Sequence, residues 1–90
     1  MSGKGDINET MAALDRAAQL HEDGDRWEEA LHVWRHMLDL NEKYQHGAYK
    51  VDLLDHIASI LSKLGRSDEA TQLRAEADSI QDYEDYLHRD

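Results

Sequence analysis

Two histidines of this chain have the spacing of metal ligands. His32 and His36 lie four residues apart in a segment patterned as a helix, so both imidazoles can reach one ion, with Glu28 and Asp39 on or near the same face. A structural zinc site needs about four ligands. Neither a third histidine nor a His-Glu-x-x-His string accompanies the pair. We therefore expect a solvated polar face, with no bound metal and no cofactor.

Catalytic groups are sparse. His56 stands beside Asp55, but a lone neighbour does not make a catalytic dyad, and we expect His56 to be a solvated surface residue. The sequence has no cysteine, no glycine-rich phosphate loop and no serine in an elbow motif. Trp27 and Trp34, seven residues apart on one helix face, are expected to pack in the core. We expect a protein without enzymatic activity.

The charge balance narrows the class of partner. The 90 residues carry a formal net charge of −10, which argues against binding to nucleic acid or to an anionic membrane, because phosphate contacts need a basic patch. The same charge favours a basic or mixed-charge protein partner, or serves solubility alone. No segment approaches the ~20 apolar residues of a membrane span. We expect one small soluble domain in the cytoplasm.

The stretch from Val51 to Ile80 predicts two helices folded back on each other. Apolar residues recur at helical spacing in its first half, and Gly65 can take the left-handed conformation that closes a helix. Ser67 is expected to cap the next helix, in which the small residues Ala70 and Ala77 allow close approach of a partner helix. The apolar positions of the first half are Leu53, Leu54, Ile57, Ile60, Leu61 and Leu64.

Extended to the whole chain, the pattern predicts an all-α fold of four helices, at about 7–22, 26–44, 48–63 and 67–87. Residues 1–6 are expected to form a disordered tail. The remainder, 7–90, is expected to be a single domain of two stacked antiparallel helical hairpins, at 7–46 and 47–90. The segment from Asn41 to Gly47 is interpreted as a frayed last turn and a loop.

An internal repeat supports two similar hairpins. Apolar residues of the second half match apolar residues of the first at a constant separation of 40 positions, which is typical of stacked helical units. The matching pairs are Leu54 with Leu14, Ile57 with Ala17, Ala58 with Ala18, Ile60 with Leu20, Ala70 with Ala30 and Ile80 with Leu40.

The strings GDRWEEALHVWRHMLDL and GRSDEATQLRAEADSI resemble the second-helix part of a tetratricopeptide repeat. Gly65, Ala70 and Ala77 match that pattern of a turn glycine followed by two small residues. In the first unit the turn slot falls on Asp25, and Met37 replaces the second small residue. The resemblance implies two stacked hairpins whose first helices line a groove. An ordinary four-helix bundle is the alternative fold.

The resemblance also implies which residues contact a partner. By position they are Asp15, Gln19 and Glu22 of the first hairpin and Asp52, Asp55, His56 and Ser59 of the second. Some members of the family bind a peptide carboxylate through lysine and asparagine at such sites. The acidic residues of this chain would repel a carboxylate, so the expected ligand is a segment that carries Lys or Arg.

These observations favour a small acidic protein–protein interaction module that binds a basic peptide or helix of a partner protein in its groove. One alternative is a self-assembling structural unit, and another is an acidic inhibitor or immunity-type antagonist of a basic partner. The apolar stripe at the C-terminus is either a solubilising cap or the interface of a homodimer. Its residues are Ile80, Tyr83, Tyr86 and Leu87.

Overall fold

The chain forms four α-helices. The computed structural model describes residues 7–87, with the backbone alone for 82–86. The helices are α1 (Ile7–Asp23), α2 (Trp27–Tyr44), α3 (Lys50–Lys63) and α4 (Ser67–Leu87), and 7–87 contain no strand. The all-α prediction is confirmed, and each described helix begins and ends within two residues of its predicted bounds. The predicted tail, 1–6, lies outside the described residues.

The helices pack in chain order. α1 packs against α2, α2 against α3 and α3 against α4, and no other pair of helices within 7–87 has Cα atoms within 8 Å of each other. The Cα atoms spread over 44 × 43 Å but only 16 Å in the third direction. A closed four-helix bundle brings its first and last helices together, whereas this arrangement is an open row.

Apolar side chains of α3 supply the largest part of the core. Predicted core residues of this helix are buried, and so are Ala70 (1% exposed) and Ala77 (2% exposed) on α4, as the predicted close contact of small residues requires. Leu64 is only partly buried. The buried residues of α3 are Leu53, Leu54, Ile57, Ala58, Ile60 and Leu61.

The turns between α1 and α2 and between α3 and α4 have the same backbone hydrogen bonds. The N–H of Arg26 donates to the carbonyl of His21 at 2.8 Å, and 40 residues later the N–H of Arg66 donates to the carbonyl of Leu61, also at 2.8 Å. This six-residue closure is a Schellman motif, which requires one residue in the left-handed conformation. Asp25 (φ 60°) and Gly65 (φ 79°) occupy that position. The predicted turn slots are therefore confirmed in both units.

The predicted cap of α4 is wrong by one residue. The N–H of Ala70 donates to the carbonyl of Arg66 at 3.1 Å, so Arg66 is the N-cap and Ser67 is already the first helical residue. The guanidinium of Arg66 instead binds the carboxylate of Glu69, with Nε–Oε2 2.7 Å and Nη2–Oε1 2.9 Å. This hydrogen bond lowers the pKa of Glu69 below its usual value.

The segment from Asn41 to Gly47 contains a last helical turn and a loop, as predicted, but the turn is not frayed at Asn41. Helix α2 ends at Tyr44, its predicted last residue, and Asn41 is completely buried. Its Oδ1 accepts the N–H of Tyr49 at 3.2 Å, while its backbone carbonyl accepts the N–H groups of Gln45 and Gly47. Asn41 therefore closes the end of α2 and fixes the start of the connection to α3 through its two carbonyl oxygens, while its buried Nδ2 has no hydrogen-bond partner among the described residues.

A lysine at the start of α3 joins three helices. Lys50 Nζ lies 2.7 Å from Glu42 Oε2 on α2 and 3.5 Å from Glu76 Oε2 on α4. The hydrogen bond to Glu42 raises the pKa of Lys50 above its usual value. Over the residues described, none of the four helices combines the length and apolarity that crossing a bilayer requires.

Candidate functional site

The predicted partner-binding residues form two rows on the protein surface. Asp15, Gln19 and Glu22 recur along one side of α1 at spacings of four and three. The second row lies on α3, where Asp52, Asp55, His56 and Ser59 have similar spacing. Asp15, Glu22 and His56 are half-buried, and the other four are exposed. We call the seven residues together the α1–α3 surface.

One contact joins the two rows. His56 Nε2 lies 3.0 Å from Glu22 Oε2, although the two residues are 34 positions apart in the chain. Because α1 and α3 have no Cα atoms within 8 Å of each other, the two side chains meet across a gap between the helices. The contact places both rows on the same side of the molecule.

Trp34 of α2 lies beneath this contact. Its indole N–H donates a hydrogen bond of 2.7 Å to Glu22 Oε2, the same oxygen that faces His56. The imidazole of His56 stacks on the indole, with ring centroids 3.9 Å apart and 27° between the ring planes. Trp34 is 6% exposed, as expected for a core tryptophan. The Glu22–Trp34–His56 cluster thus joins α1, α2 and α3.

The sequence predicts the environment of these three residues only in part. Trp34 is buried as predicted, but its polar N–H has a specific acceptor in Glu22. His56 lies on the surface, with its side chain 39% exposed, but the expectation that it is simply solvated is wrong, because the ring is stacked and hydrogen-bonded and its partner is Glu22 rather than Asp55. No local signal in the sequence identifies this cluster, since its members are 12 and 34 residues apart.

Three aspartates provide the negative charge of the α1–α3 surface beside that of Glu22. Asp15 is held by its neighbour, because Gln19 Nε2 donates to Asp15 Oδ1 at 2.9 Å. Asp52 and Asp55 are exposed, and neither forms an ion pair with another described side chain. Both line an open depression of about 280 Å³, whose wall also includes Tyr49 and Gln81. Sequence reasoning did not include these two neighbours.

The structure also locates the histidine pair of α2. His32 and His36 are exposed. Among the described residues, no group of three or more histidine, aspartate or glutamate side chains is arranged to hold a metal ion. The absence of a bound metal stays a prediction.

The comparisons with known proteins identify no relative. Neither family models nor curated proteins nor solved structures match this chain. The resemblance to tetratricopeptide repeats therefore stays a prediction drawn from the residues.

Proposed function

We propose that this protein is a non-catalytic binding module that holds a basic segment of another protein on the α1–α3 surface. The observation that carries the proposal is the depression at the start of α3, whose lining includes both the exposed Asp52 and Asp55 and the exposed Tyr49. Carboxylates attract an ammonium or guanidinium group, and an aromatic face adds a cation–π contact. Such a module would operate in the cytoplasm, as two stacked hairpins of the tetratricopeptide kind.

The charges determine the expected association rate and salt dependence of such binding. Each exposed ion pair contributes only ~0.2–1 kcal/mol, so Asp15, Asp52 and Asp55 act mainly on the association rate and on its dependence on salt. Tyr49 is 54% exposed and offers apolar area to the aliphatic part of a lysine or arginine side chain. The affinity is therefore expected to be moderate and to fall as ionic strength rises.

The test compares two charge-matched variants. In the first, Asp15, Asp52 and Asp55 are all changed to Asn; in the second, Asp39, Asp68 and Asp78 of α2 and α4 are changed in the same way. Both variants lose three negative charges, so a difference between them reports position rather than net charge. The probe is a synthetic peptide of alternating Lys or Arg with Gly, and binding is measured by calorimetry at low and high salt.

The first variant is expected to bind more weakly than the parent and to lose much of the salt dependence. The second is expected to stay close to the parent. Equal losses in the two variants would show that net charge alone attracts the peptide, and the proposed surface would then be wrong. Circular dichroism of both variants checks that the helices are intact.

A further inference from the structure

The Glu22–Trp34–His56 cluster has the chemical composition of a site for a planar cation. It combines an aromatic face, on Trp34, with a carboxylate at the edge of that face, on Glu22. The carboxylate is held in place by the indole N–H at 2.7 Å, so its orientation is fixed before any ligand arrives. A flat group that stacks on the indole and donates hydrogen bonds at its edge satisfies both elements.

His56 makes these two contacts in the free protein. Its ring lies over the indole with 3.9 Å between centroids, and its Nε2 faces Glu22 Oε2 at 3.0 Å. An arginine guanidinium is likewise planar, carries several N–H donors at its rim, and stacks on aromatic faces. Lysine is a compact point charge on a flexible stem and matches the geometry less well.

His56 is also the residue of the cluster whose side chain is most free to rotate away from the other two. The side chain of His56 is 39% exposed and that of Glu22 is 21% exposed, whereas Trp34 is only 6% exposed. A rotation of His56 away from α1 would uncover the face of the indole and free one side of the carboxylate, without moving any backbone. A cation lies over the other tryptophan of the protein, since Lys63 Nζ is 5.1 Å from the ring centroid of Trp27.

We propose that Trp34 and Glu22 form an arginine-binding site on the α1–α3 surface, and that His56 occupies this site until an arginine of the partner displaces it. This proposal rests on the proposed function, because it identifies arginine as the residue of the basic segment that is recognised. Asp52 and Asp55 attract the segment, while Trp34 and Glu22 select arginine over lysine. Removing the imidazole should therefore raise the affinity for arginine.

The experiment uses two peptides that differ only in having Arg or Lys at every basic position. The parent protein is expected to bind the Arg peptide roughly two- to fivefold more tightly than the Lys peptide. His56→Ala should raise the affinity for the Arg peptide by a similar factor and leave the affinity for the Lys peptide unchanged. Glu22→Gln should remove the preference for arginine. His32→Ala, an exposed histidine on α2, is the matched control and should change neither affinity.

Nuclear magnetic resonance supplies a direct readout in the same samples. The Arg peptide should shift the indole N–H signal of Trp34 and the ring signals of His56, and leave the indole signal of Trp27 in place. If His56→Ala perturbs the fold, His56→Gln is the second variant, since its side chain can still reach Glu22 but cannot stack as a ring.

The outcomes separate the two proposals. Equal binding of both peptides, with no effect of His56→Ala, would overturn the arginine site and leave the binding of basic segments intact. If neither peptide binds to the parent or to either His56 variant, the proposed function and the arginine site are both overturned. Binding of the Arg peptide only after removal of His56 would support the site and show that the imidazole blocks it.

Discussion

Ala70 defines how closely α4 approaches the core. It is 1% exposed, and it occupies the position that Ala30, 0% exposed, holds 40 residues earlier in α2. A side chain of one carbon at each position lets two helix backbones come near each other. The close packing follows from residue size, which the sequence shows directly.

We expect Ala70→Leu to destabilise the protein by about 1–3 kcal/mol, because a well-packed contact has no room for three further carbons. Ala75→Leu on the same helix is the control, since Ala75 is exposed and its substitution should stay within about 0.5 kcal/mol of the parent. Urea unfolding measures both variants. A parent-like stability for Ala70→Leu would mean that the position is not at the close contact.

For single residues, the sequence predicts the burial of apolar side chains better than that of polar ones. The helical spacing of Leu54, Ile57 and Leu61 is visible without a structure, and all three are buried. The full burial of Asn41 and the specific contacts of His56 were not predicted, because polar side chains are usually exposed. Their burial depends on partners brought near by the fold, such as the N–H of Tyr49 and the carboxylate of Glu22.

The elements begin and end where local chemistry requires it. Gly65 ends α3 in the left-handed conformation, and the corresponding Asp25 adopts the same conformation after α1. Aspartate tolerates this region better than most residues with a side chain. Glycine was therefore a usable signal for the position of both turns, but in the first turn the left-handed residue is Asp25 rather than the neighbouring Gly24, and only the resemblance to the repeat pattern assigned the slot to Asp25.

Substitutions at Gly65 test this turn. A Cβ atom added there meets nothing within 4 Å, so any cost is conformational rather than steric crowding from other residues. We expect Gly65→Ala to destabilise the protein by about 1–2 kcal/mol, and Gly65→Asp by less, since Asp25 fills the same slot in the first turn. Thermal unfolding of the two variants measures the two losses of stability. Equal losses would show that the aspartate side chain gives no advantage in this conformation.

The start of an element was less predictable than its end. Ser67 has a good capping side chain, yet the cap position belongs to Arg66, which lacks a side-chain acceptor. The Schellman closure fixes the register of both turns, and it places the next helix one residue earlier than side-chain preference alone suggests. Backbone hydrogen bonding therefore outweighs the preference for a serine cap here.

At the scale of the whole molecule, the open row leaves the first and last helices without a second neighbour in the described chain. Leu20 on α1 is 65% exposed, and Leu87 at the end of α4 is 57% exposed. The predicted dimer stripe also includes Tyr83 and Tyr86, whose side chains lie outside the described residues. Homodimerisation through the C-terminal helix stays a prediction.

If this dimer forms, light scattering of the parent at high micromolar concentration should give twice the mass of one chain. Leu87→Glu should then give a folded monomer, because a carboxylate in an apolar interface is costly to desolvate. Leu20→Glu makes the same change at the opposite end of the row and should leave the dimer intact. A monomeric parent would contradict the prediction, and loss of the dimer in both variants would contradict its location.

The recurrence of one turn after 40 residues has a consequence for how the chain can grow. A duplicated segment of that length would repeat the turn within the hairpin, which the protein already makes twice, and would be joined to its neighbour through a connection like that from Asn41 to Lys50, which the described chain makes once. The first helix differs from its counterpart in the second unit, since Ala13 and Leu20 are exposed although Leu53 and Ile60, the corresponding residues of α3, are buried. A further unit packed against α1 would thus find Leu20 already available as an apolar contact, and would need a larger apolar residue at Ala13 to reproduce the contact that Leu53 makes.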